Sequence, residues 1–168
     1  MAKKIIKTKT EIKKAVIQIA EAINSDYKDK EIDLICLNDS ADYLASDLIK
    51  LLKVKTRICK LKFTNYKKPT NSGEVKILED LKYSIYMRDV IMVDGIIISG
   101  ITHNYLSRYL KQRKPNSIAL VSVGKKQKLL KIKMPKCYSL FSFNDEWVEG
   151  YGFGSHKNKN KNYLVDTR

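Results

Sequence analysis

Residues Val90 to Thr102 read VIMVDGIIISGIT, and the fold turns on them. The run Asp89 to Val93, DVIMV, has the length and composition of a strand buried on both faces. Asp94 closes it, and the segment Asp94 to Thr102 is expected to turn. Within it, Ser99-Gly100-Ile101-Thr102 sets a glycine, free to bend the backbone tightly, among hydroxyl side chains. Tyr105, Leu106, Tyr109 and Leu110 then recur at helical spacing, and the helix stops before Pro115. In open α/β sheets, ligands bind where a strand leads through such a turn into a helix. Successive N–H groups and the helix N-terminus would there face an anion. By itself the turn is better explained as a plain helix cap.

Working outward, Thr8 and Glu11 have capping-box spacing, and Ile12, Val16, Ile19, Ala20 and Ile23 predict a first helix. Glu31 to Leu37 contains IDLICL, a buried strand. The polar Asn38-Asp39-Ser40 separates it from a second helix carrying Tyr43, Leu44, Leu48 and Leu51. Val54 to Phe63 is read as one strand, Lys67 to Gly73 as a loop, and Val75 to Leu78 as a returning strand. Ser117 to Val123, SIALVSV, is a further central strand. This alternation predicts an α/β fold, a mainly parallel sheet with helices on both faces. Residues 1–168 are expected to form a single domain.

The strand, acid and S-G-x-T order resembles the phosphoribosyl-diphosphate signature of type I phosphoribosyltransferases. That signature reads hydrophobics, two acids, two hydrophobics, Asp, Thr or Ser, Gly, any residue, Thr. GEVKILEDL (Gly73 to Leu81), RKPNSIALVSVGKK (Arg113 to Lys126) and NDEWVEGYGFG (Asn144 to Gly154) extend the resemblance to the hypoxanthine-guanine subfamily. It runs from about Glu31 to Tyr151 with few or no gaps. The resemblance implies a type I phosphoribosyltransferase core, about 1–135, with a small hood at about 136–168 to which the N-terminus is a candidate contributor.

Carried over by position, the resemblance assigns the 5′-phosphate to Ser99, Gly100, Ile101 and Thr102, and the ribose to Asp94. It assigns the purine to Ile96, Lys126, Trp147 as stacking ring, and Val148 through its backbone. Other positions depart from the family. Gly95 stands for the second acid and Ile98 for the proton-accepting aspartate, so no catalytic residue is intact. The pyrophosphate loop is Asn38-Asp39, whose carboxylate would repel pyrophosphate. The hood aspartate that helps to hold metal is Gly154, and a tail arginine aligns near Asn160, with Lys159 or Lys161 as alternatives. Tyr66 is kept in the mobile loop, next to Asn65 instead of serine. The implied function is a purine-salvage homologue that binds purine 5′-nucleotide or phosphoribosyl diphosphate, with weak or lost transferase activity, using Mg²⁺ if active. The alternative is a non-catalytic nucleotide-sensing regulator that contacts nucleic acid or a protein.

Composition bounds the rest. Thirty-three Lys+Arg against eighteen Asp+Glu give +15, which suits phosphate-bearing ligands; nucleic acid is a weaker expectation than a lysine-biased surface. Cys36, Cys59 and Cys137 lack metal-ligand spacing and are expected as thiols in a reducing cytoplasm. Asp94 interrupts the longest apolar stretch, so no membrane span is expected, and the N-terminal lysines precede no apolar leader. His103 and His156 lack metal spacing and are expected at the surface, where no confident metal site is assigned. A homo-oligomer, dimer or tetramer, is expected from the family.

Overall fold

A computed structural model describes residues 4–67 and 73–168. In chain order the elements begin β1 (Lys4–Lys7), α1 (Lys9–Asp26), β2 (Glu31–Cys36), α2 (Ala41–Ile49) and β3 (Lys55–Lys60). They continue β4 (Lys62–Lys67), β5 (Gly73–Glu79), β6 (Asp89–Ile97), α3 (Ile101–Lys111), β7 (Ser117–Lys126) and β8 (Lys136–Phe143). The last are β9 (Val148–Glu149), α4 (His156–Lys159) and β10 (Leu164–Asp166).

Five strands form one parallel sheet in the order β3-β2-β6-β7-β8. Successive side chains of a strand face opposite ways, and here both faces are covered. Leu34, Cys36, Ile91, Val93 and Val121 pack with α1 and α2 on one face. Ile35, Val90, Met92 and Leu120 pack with Leu106 and Leu110 of α3 on the other. That two-sided burial is why β2, β6 and β7 are mostly apolar, with Asp33, Asp94 and Ser122 as buried polar interruptions. The capping box at α1 is formed: Thr8 Oγ1 accepts the Glu11 N–H at 3.3 Å, and the Glu11 carboxylate accepts the Thr8 N–H at 2.8 Å. Ile12, Val16, Ala20 and Ile23 make its buried stripe.

Three expectations need correction. Val54 to Phe63 is two strands: β3 runs in the main sheet, and after buried Leu61, whose N–H still reaches Cys36 O at 3.1 Å, β4 pairs antiparallel with β5. Strand β6 continues four residues past Val93. It leaves β2 at Val93 but keeps β7 as a partner as far as Ile97 opposite Lys125. The turn is therefore only Ile98 to Gly100, and Ile101 and Thr102 are already helical. Strand β8 belongs to the main sheet and not to the hood. The small sheet is β1-β10-β9, so the N-terminus closes the hood. Of the expected loop Lys67 to Gly73, residues 68–72 lie outside the described residues.

All three cysteines are free thiols, and burial raises each thiol pKa, that of Cys36 to about 12, which leaves them unreactive. No described helix is long and apolar enough to cross a membrane.

Candidate functional site

The turn between β6 and α3 lies at the carboxyl end of the central strand pair. Gly100 caps α3 with φ of 78°, a conformation that favours glycine, and a Cβ there would have to push the Met134 side chain aside, its Sδ being 2.9 Å away. The β7–β8 connection backs the turn, with the Lys131 N–H donating to Ser99 O at 3.0 Å. The first N–H groups of a helix have no partner within it. Here Asn104 N bonds back to Gly100 O at 2.9 Å and Ile101 N weakly to Ser99 Oγ at 3.4 Å. The N–H groups ahead of Asn104, with the Ser99 and Thr102 hydroxyls, are disposed to hold an anion.

Beneath the turn sits a polar cluster in which Asp94 and His103 are buried and Asn38 reaches the surface. Asp94 Oδ1 accepts from Asn38 Nδ2 and, at 2.6 Å, from the Gly95 N–H; Asp94 Oδ2 meets His103 Nε2 at 2.6 Å. Asp94 is 8 % exposed and His103 6 %. His103 is thus a buried partner of the acid, contrary to the surface position expected of it; His156 is exposed, as expected. Metal spacing was the wrong signal to look for. The informative one was a histidine in the first turn of a helix that follows an acid-capped strand. Asn38 Oδ1 in turn accepts from Ser40 Oγ and from the Ala41 N–H at 3.0 Å.

Gly95 faces this cluster. A Cβ at residue 95 would lie 2.6 Å from Ser40 Oγ and 3.4 Å from the Phe153 ring. The hood closes here: Gly152 lies against Ser40 O and Tyr43, and the Tyr43 hydroxyl donates to Asn160 Oδ1 at 2.9 Å. Gly154 has φ of 95° and its Cβ position lies 2.5 Å from Glu149 Cγ, so no acid fits there without strain. Asp39 lies 3.6 Å from Lys60 Nζ, but Lys60 is bonded more closely to Asp42 at 2.6 Å. One cation between two carboxylates leaves the Asn38-Asp39 turn and the start of α2 net negative.

On the other side of the turn, Ile96 pairs with Gly124 and Ile97 with Lys125, bringing Lys126 to the same end of the sheet. Lys126 Nζ lies 5.9 Å from the Trp147 ring centre. The Trp147 backbone is pinned to the C-terminal strand, its N–H donating to Asp166 Oδ1 at 2.9 Å and its carbonyl accepting from Thr167 N at 3.0 Å. Its ring remains 64 % exposed. Val148 is buried and pairs with Asp166. Ile98 and Ile101 project outward, 52 % and 49 % exposed. Tyr66 lies in β4 opposite Glu74, its side chain outside the described residues.

The model of the phosphoribosyl transferase domain matches residues 3–156. The chain belongs to the phosphoribosyltransferase family. A hypoxanthine-guanine phosphoribosyltransferase of Dictyostelium discoideum is 29% identical over 163 residues, covering 94% of this chain and 91% of its own. One from Bacillus subtilis is 31% identical over 150 residues, covering 89% and 83%. Among solved structures, a Bacillus anthracis hypoxanthine-guanine phosphoribosyltransferase superposes with a TM-score of 0.90 at 26% identity, covering 99% of each chain. A Staphylococcus aureus hypoxanthine phosphoribosyltransferase gives 0.92 at 26%, covering 98% and 91%.

Mg²⁺ chemistry, which the family implies, does not fit the residues of this phosphoribosyltransferase. Gly95 and Gly154 offer no carboxylate, and both oxygens of Asp94 are already engaged. Among the described residues no group of three His, Cys, Asp or Glu could hold a metal.

Proposed function

We propose that this phosphoribosyltransferase binds purine nucleoside 5′-monophosphates of the hypoxanthine-guanine type, with transferase activity weak or lost. One observation carries the reading: the two halves of the site have opposite fates. The anion turn, Lys126 and the exposed ring of Trp147 stand together at the carboxyl end of β6 and β7. On the pyrophosphate side, Ser40 and Phe153 fill the space beside Gly95, and Ile98 presents a hydrocarbon at the position of the proton acceptor. The family relationship supports the purine-salvage assignment, since the relatives matched along most of the chain are named hypoxanthine-guanine enzymes.

In this reading the N–H groups of the turn and the hydroxyls of Ser99 and Thr102 hold the 5′-phosphate. Trp147 stacks on the base, and Lys126 donates to an exocyclic oxygen. Losing a general base typically forfeits about 10²–10⁴-fold in rate. Calorimetry tests the reading. GMP or IMP should bind at least about tenfold more tightly than phosphoribosyl diphosphate with Mg²⁺, about 1.4 kcal/mol. Equal affinity would mean that the surviving half has been misidentified. A turnover of hypoxanthine or guanine above about 1 s⁻¹ would overturn the loss of activity.

A further inference from the structure

We infer that His103 is a positioning residue for the 5′-phosphate turn, acting through Asp94, and that the chain Ser40–Asn38–Asp94–His103 makes nucleotide binding independent of divalent metal. The inference rests on the nucleotide reading above. Asp94 directly follows the part of β6 flanked by two strands, and His103 lies in the first turn of α3. Their contact of 2.6 Å between buried groups closes the loop that contains Ile98, Ser99, Gly100 and Thr102. The anion turn is thereby tied at both ends before any ligand arrives.

The same contacts decide what Asp94 can no longer do. A carboxylate offers about four lone-pair directions, and three are taken by Asn38, the Gly95 N–H and His103. It cannot also serve two ribose hydroxyls or a hydrated cation. The chain continues through Asn38 Oδ1 to Ser40 Oγ, which stands 2.6 Å from where a Cβ of residue 95 would be. The glycine at 95 and the polar chain are therefore one arrangement: an acid there would displace Ser40. His103 Nδ1 is buried without a partner, a cost that a leucine at this position would not carry. The bond to Asp94 is what the imidazole contributes in return.

The test uses the whole chain, with GMP and phosphate-free guanosine as probes, by calorimetry in EDTA and in Mg²⁺. Wild-type affinity for GMP should change by less than about twofold between the two conditions. His103→Leu should weaken GMP by about tenfold or more and leave guanosine within about twofold. His103→Gln, whose amide can still donate to Asp94, should recover most of the loss. Hydrogen exchange at residues 98–103 of the ligand-free protein should be faster in His103→Leu and near wild type in His103→Gln. Tightening of GMP by Mg²⁺ of more than about tenfold overturns the metal independence. Equal losses of GMP and guanosine, or unchanged GMP affinity in His103→Leu, overturn the positioning role. Should His103→Leu not fold, Asn38→Ala opens the chain at its next link and is read by the same criteria. Should wild-type protein bind no purine nucleotide, the functional reading falls, and hydrogen exchange alone decides the clamp: unchanged protection in His103→Leu overturns it.

Discussion

At residue 95 there is no room for a side chain while Ser40 keeps its place, and this changes how the missing acid should be restored. Gly95→Asp should destabilise the protein by about 1–3 kcal/mol through overpacking, and Ser40→Ala in the same chain should relieve much of it. Urea unfolding of the single and double variants measures both. Ile98→Asp, at an exposed position, should leave stability within about 0.5 kcal/mol. In the ligand series, Trp147→Ala should cost about 1–3 kcal/mol of GMP affinity and spare inorganic phosphate. Thr102→Val should weaken both; a Trp147→Ala variant that bound GMP normally would remove the ring from the site. Which positions to test was legible in the sequence, because the motif order names them. The role of His103 was not. Its partner is nine residues away across a turn, and nothing in the spacing of histidines and cysteines announces a bond to a single carboxylate.

At the scale of elements, periodicity found the cores of α1, α2 and α3 and the strands β2, β6 and β7, but neither β8 nor the short α4, and it failed where tertiary pairing overrode it. The polarity of Val54 to Phe63 does not change at Leu61, although the chain there passes from one sheet to another. Likewise β6 outruns its apolar run because β7 remains beside it. Inside the IDLICL strand, fully buried Asp33 is held by Arg57 through two bonds of 2.8 and 2.7 Å and by Arg88 at 2.8 Å. Asp33→Ala would remove these three bonds while leaving Arg88 to Glu31 and Arg57 to Ser84 O, and should cost about 1–3 kcal/mol in urea unfolding. At the edge of this network Glu31 accepts from Lys55 and Arg88, which hold its carboxyl at about 2, well below the ordinary 4.5. Because the folded pKa is depressed, the contribution is present above pH 4.5 and is lost as pH falls through about 2. The melting temperature should therefore drop less steeply between those limits in Glu31→Gln than in wild type. Parallel curves would show that the ion pairs contribute nothing.

Over the whole molecule, the +15 charge is unevenly spread. From Gly95 to Asn144 the chain carries ten Lys+Arg and no Asp or Glu, so this stretch holds +10 of the total. Arg113 is paired with Asp80 and Lys136 with Asp26; the other eight, from Arg108 to Lys133, have no carboxylate partner among the described residues. Arg108 and Lys111 lie in the last turn of α3 and Lys114 just beyond it; the other five lie at the end of β7 and on the β7–β8 connection that backs the anion turn. A field concentrated there serves two chemistries that salt distinguishes. Steering of a small phosphorylated ligand raises its association rate and is screened beyond about 8–10 Å at ordinary ionic strength. Binding of a nucleic-acid strand releases counterions, so its affinity falls linearly on a log–log plot against salt. The lysine-biased, arginine-poor surface favours steering, because arginine is the better match to phosphate and base edges. Lys128→Glu, Lys131→Glu and Lys133→Glu together should slow GMP association and flatten its salt dependence, with little change in the dissociation rate. The same number of charges reversed at Lys9, Lys13 and Lys14 on α1 should do much less. Fluorescence anisotropy with RNA and duplex DNA should show only weak, sequence-independent binding, lost as salt rises toward about 150 mM. A tight, sequence-selective complex surviving at that salt, and sensitive to GMP, would instead make this face the output surface of a nucleotide-sensing regulator.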